Sequence, residues 1–88
     1  MNILIETNPK ESAKWLYNRI MRICNDYFQE ITCDNIKYIA NRCCEEGVKN
    51  KNSFKDYERA FNELLTNFTL YRKITVSSIL TALKKVNQ

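Results

Sequence analysis

The stretch NPKESAKWLYNRIMRICNDYF, residues Asn8–Phe28, decides the fold class. Asn8 offers a side-chain oxygen as a cap, Pro9 suits the first helical position, and Glu11 stands where a capping box takes a carboxylate. Ala13, Leu16, Tyr17, Ile20, Ile23, Cys24, Tyr27 and Phe28 then recur at helical spacing. At roughly 100° per residue they form one apolar stripe, which must be buried against other helices. Trp15 stands nearly opposite that stripe, with Arg19 at i+4 and Arg22 at i+7. A Trp among guanidinium groups is a recurrent contact surface. The competing reading packs Trp15 under another part of the same chain, because a Trp rarely stays fully in water. The segment before Asn8 is the natural cover: Ile3, Leu4 and Ile5 are too apolar for a free tail and predict a short arm folded onto the helices.

Three more helices follow by the same signals. Thr32 caps a helix over 33–46, with Ile31 and Ile36 placed as a hydrophobic staple. Its buried face is Ile36, Ile39, Ala40 and Cys43, with Cys44 flanking, while Tyr38, Arg42 and Glu45 face away. Gly47 reads as the left-handed residue that ends it, and Val48–Asn52 as a polar loop. Glu45 and Glu46, in its last turn, read as solvated or paired with Arg42 or a lysine. Ser53, with Asp56 three residues on, caps a third helix over 54–68. Phe54, Tyr57, Ala60, Phe61, Leu64, Leu65 and Phe68 give it the most aromatic stripe in the chain. Leu70 and Tyr71 anchor the next turn, and Thr75 caps a fourth helix over 76–86 that turns Ser77, Ser78, Thr81, Lys84 and Lys85 outward. The segments before Thr32 and Thr75 share an aromatic residue, two polar residues and Ile-Thr. That similarity is either a duplicated helical hairpin or one capping chemistry used twice. The expected architecture is all-α: a four-helix bundle of helix-turn-helix-like hairpins, one domain over 1–88, with an arm at 1–7.

Composition agrees. One Gly and one Pro argue against a β-fold with many tight turns. No apolar run reaches the ~20 residues of a membrane span, and Ile3-Leu4-Ile5 is too short for a signal peptide and has no basic flank. The four cysteines come with no histidine and no C-x-x-C spacing. Zinc and disulfides are therefore not expected, and reduced thiols in a cytoplasmic protein are. The net charge is +4, and no acidic residue follows Glu63. A basic end suits an acidic partner, nucleic acid or simply a soluble surface.

Catalysis has no footing: the chain lacks histidine, a Gly-rich phosphate loop, a nucleophile–base pair and facing carboxylates. No enzyme activity, cofactor, metal or membrane partner is expected, and no motif sets an oligomeric state. Two binding readings remain. A protein partner would meet Trp15, Arg19, Arg22, Tyr38 and Arg42. Nucleic acid would meet Ser77, Thr81, Lys84 and Lys85 on the last helix, through phosphates rather than base edges, since residues that read bases are missing.

The run from Asn35-Ile36 through Ala60-Phe61, then Phe68, Tyr71 and Ile74 to Leu83, with Asn8-Pro9, Ala13 and Trp15-Leu16 before it, resembles small helical phage and prophage proteins that act on host replication, helicase-loader inhibitors among them. The proline of the loader-inhibitor pattern near Ile74 is absent, and no site residue carries over. The resemblance implies a stoichiometric inhibitor or adaptor, of phage or mobile-element origin, acting on a host macromolecule in the host cytoplasm.

Overall fold

The computed structural model describes residues 3–27, 29–68 and 73–87. Among the described residues a 3-10 turn, Ile5–Thr7, is followed by four α-helices: α1 (Pro9–Asp26), α2 (Cys33–Lys49), α3 (Phe54–Thr66) and α4 (Val76–Val86). The protein is an all-α four-helix bundle. Phe28, Leu70 and Tyr71, expected to be buried or to anchor a turn, lie outside the described residues.

Each helix starts where a side chain replaces a missing intrahelical partner. Asn8 Oδ1 accepts from the Glu11 N–H at 3.2 Å, and Thr32 Oγ1 accepts from the Asn35 N–H at 3.2 Å. Ser53 and Asp56 form a reciprocal capping box at α3. Thr75 and Ser78 form a second one at α4, with Ser78 Oγ accepting from the Thr75 N–H at 2.8 Å. Ser78, expected to face outward, is therefore buried.

The helices pair as two hairpins. α1 and α2 run antiparallel, the Cys44 thiol near the end of α2 donating to the Pro9 carbonyl at the start of α1, 3.2 Å away. α3 and α4 do the same. Arg59 Nη2 donates to the Val86 carbonyl at 2.7 Å, and Lys85 pairs with Glu63 at 2.9 Å. The Ile-Thr repeat thus marks corresponding points, the entry to the second helix of each hairpin. α1 and α3 lie side by side and run the same way, with Trp15 against Phe54 at one end and Tyr27 against Phe68 at the other.

One core joins all four helices: Leu16, Ile20 and Ile23 from α1, Ile36, Ile39 and Cys43 from α2, Tyr57, Phe61 and Leu64 from α3, and Ile79 and Leu83 from α4. The N-terminal arm enters it. Ile5 is fully buried, its N–H donates to the Asn52 carbonyl at 2.8 Å, and the Phe54 N–H returns a bond to the Ile3 carbonyl at 2.9 Å. Leu4 and Ser53 thereby make an isolated antiparallel bridge. Ser12 Oγ fastens the arm from α1, donating toward the Ile5 and Asn8 carbonyls.

Gly47 corrects a sequence reading. It does not end α2, which continues to Lys49, and it has no left-handed backbone; that conformation falls on Lys51, with φ 55°. Gly47 is instead a contact point. A Cβ there would stand 3.0 Å from a Tyr57 ring carbon and 3.2 Å from two Ile5 side-chain carbons. Neither neighbour is free to give way, because Ile5 is held in its bridge and the Tyr57 hydroxyl donates to the Cys43 carbonyl. The glycine answers to close approach, not to turn geometry.

Candidate functional site

Trp15 lies half-buried in the seam between α1 and α3. Its ring meets Phe54 edge to face, with centroids 5.0 Å apart, and tilts against Phe61 at 6.4 Å. The arm, expected as its cover, goes to Gly47 and Tyr57, and the rings beside Trp15 come from α3. Phe54 and Phe61 were both legible as core residues of α3. What the sequence did not announce is that the α3 stripe is broad enough to serve Trp15 as well as the core.

Arg19, one turn on, lays its guanidinium over the same aromatic group. Its central carbon is 5.9 Å from the Trp15 ring centroid and 5.8 Å from that of Phe61. Such stacking suits a planar, weakly hydrated cation. Arg19 Nε is buried and has no hydrogen-bond partner. Arg22 is exposed, beside Asn18, Asn25 and Asp26. Among the described residues, no carboxylate stands within ion-pair distance of Arg19 or Arg22.

The other two residues expected to face a partner sit on α2. Tyr38 is 60% exposed. It borders an open groove of about 480 Å³ that also takes in Ile31, Ile39, Lys73, Ile74 and Val76. Arg42 is engaged within its own helix, 2.8 Å from Glu45 and 3.8 Å from Glu46, which holds its guanidinium above its ordinary pKa. Among the described residues no ring contact, hydrogen bond or ion pair joins Tyr38 or Arg42 to the Trp15 group. The five residues thus form two separate surfaces. The groove beside Tyr38 had one trace in the sequence, the paired Ile-Thr motifs that bring Ile31 and Ile74 to it.

On α4, Ser77, Thr81 and Lys84 are exposed, whereas Lys85 is tied to Glu63. Lys84, seven residues on from Ser77 and three from Thr81, shares their side of the helix and lies by Glu46, Asn50 and Asn87. The basic end is therefore partly spent on fastening α4 to α3.

No disulfide joins the four cysteines: Cys24, Cys43 and Cys44 are buried as free thiols, and Cys33 is exposed. Its sulfur lies beside the Tyr17 hydroxyl and raises that phenol's pKa, with partial burial adding to the effect. Among the described residues there is no group of three or more His, Cys, Asp or Glu able to hold a metal ion. No helix among them is long and apolar enough to cross a membrane. Burial raises the Cys43 thiol from its ordinary 9.0 to about 12, and also raises Cys24, Cys44 and the Tyr57 phenol. Between about pH 9 and 12 the unfolded chain therefore sheds protons that the fold retains. Stability is full below pH 9 and falls as pH rises toward 12, so the urea midpoint should decline across that window and stay level across neutral pH. Thiol titration should find all four cysteines in the unfolded protein and Cys33 alone reacting quickly in the native one.

No family model matches the chain, and neither the curated proteins nor the solved structures contain a match to it.

Proposed function

We propose that the protein is a small intracellular binding protein of phage or mobile-element origin. In this reading it engages a host macromolecule through a helical surface and inhibits or redirects it without catalysis. The supporting observation is the Trp15–Arg19 pair, an aromatic and a cation placed side by side at the surface with no carboxylate of the chain joined to the cation. Trp and Arg are the residues on which interface energy concentrates. The phage origin and the inhibitory role rest on the resemblance in helix order and aromatic pattern.

Because Trp15 is largely covered but keeps part of its surface open, Trp15→Ala is expected to cost part of the stability without unfolding the protein and to weaken partner binding by ~2 kcal/mol or more. Native emission should be intermediate in wavelength and partly quenched by acrylamide. Affinity capture from a candidate host should retain one host protein in stoichiometric amount with the native chain and lose it with Trp15→Ala. A melting temperature that collapses, or equal capture by both proteins, would take Trp15 out of the interface.

DNA binding through α4 is the second reading, favoured by the outward Ser77, Thr81 and Lys84. Retention of a DNA duplex at low salt should then fall steeply as salt rises, and Lys84→Ala with Lys85→Ala should weaken it on every sequence alike. A duplex that is not retained even at low salt removes this reading.

A further inference from the structure

The cations of this chain are not equally committed. Arg42 is joined to Glu45 and Glu46, Arg59 to the carbonyl that ends α4, and Lys85 to Glu63. Arg19 and Arg22, three residues apart on α1, are joined to no carboxylate among the described residues. Arg19 is nevertheless the more fixed of the two, because its guanidinium lies against Trp15 and Phe61 and its Nε is enclosed. With Nε turned inward, the two terminal nitrogens form the edge left for an incoming group. An arginine held in this way has already lost most of its rotamer freedom, so a bond to its outer edge costs little further ordering.

We propose that the seam between α1 and α3 is a docking site for an acidic segment of a partner protein, with Arg19 gripping one carboxylate and Trp15 forming the apolar wall beside it. This rests on the protein-binding reading and adds the chemistry of the partner. A carboxylate matches the two-nitrogen edge of a guanidinium with parallel hydrogen bonds, and the aromatic rings beneath keep water from one side of the pair. The surrounding charges set the dose. Glu58, on the side of α3 that carries Phe54 and Phe61, and Asp26, one turn beyond Arg22, are both exposed. They repel a second and third anionic group. The seam therefore suits one or two carboxylates among apolar residues and disfavours the continuous phosphates of a nucleic acid.

Nitrogen-15 NMR of the arginine Nε–H and tryptophan indole signals tests this directly. The probe is an acetylated, amidated Ala-Leu-Glu-Leu-Ala peptide, with Gln in place of Glu as its neutral counterpart. The Glu peptide should move the Arg19 and Trp15 signals saturably, about tenfold more tightly than the Gln peptide, and leave Arg59 in place. R19Q should abolish the preference. R19K, which keeps the charge and loses the paired edge, should retain a part of it, and R59Q should retain all of it. Equal affinity for the two peptides would overturn the carboxylate assignment while leaving a protein-binding seam. If neither peptide moves Arg19, or if a short DNA duplex moves it in their place, the proposal is overturned. Failure of the protein-binding reading itself shows elsewhere, as host capture indifferent to Trp15→Ala.

Discussion

Leu64→Ala is expected to lower stability by about 2–5 kcal/mol, which for a domain this small is most or all of it. Leu64 is fully buried in the last turn of α3, in one core with Tyr57 and Phe61 of its own helix, Ile20 of α1 and Ile79 of α4. Truncation removes apolar contact and leaves a cavity that four packed helices cannot close together. The next residue is the control. Leu65 is only partly buried, so Leu65→Ala should cost clearly less, because less of its surface is withdrawn from water. Urea unfolding followed by circular dichroism measures both. Equal losses for the pair would mean that α3 is rotated from the position described.

Ile5→Ala is expected to be comparably severe, at about 2–5 kcal/mol, although it lies outside every α-helix. Its side chain fills the space that Gly47 leaves open, against Tyr57. Its neighbour on the arm gives the contrast: Ile3 is 46% exposed, and Ile3→Ala should fall within about 0.5 kcal/mol of the native protein. Removing the first five residues should match Ile5→Ala or exceed it, since the bonds between Ile5 and Asn52 and between Ile3 and Phe54 go as well. A shortened protein with unchanged stability would show that the arm is ornamental.

The helices were legible because their ends are written locally. Thr32, Ser53 and Thr75 each cap within three residues of themselves, and each was found. The apolar stripes were legible for the same reason: a helix face depends on spacing alone. Errors arose where a residue answers to a distant one. Gly47 has the local look of a helix end, but its reason lies in Ile5 and Tyr57, far off in sequence. Trp15 looked stranded because its own helix has no place for it, and its neighbours are on α3. Ser78 looked like surface until its hydroxyl was needed by Thr75. In the candidate site, residue types could be picked out as anchors, but their grouping could not. Only the packing of α1 on α3 separates Trp15 and Arg19 from Tyr38 and Arg42.

The bridge between Leu4 and Ser53 ties the arm to a segment that is synthesised much later than the arm itself. The backbone partners of Ile3 and Ile5 belong to Phe54 and Asn52, so all of α1 and α2 must be translated first. At ordinary ribosomal speeds that is a delay of roughly 2–10 s. The α1–α2 hairpin closes over short distances and can form within that interval, but the arm cannot. Until Asn52 and Phe54 emerge, a nascent chain carries a bare isoleucine and unmatched arm backbone beside a nearly finished hairpin.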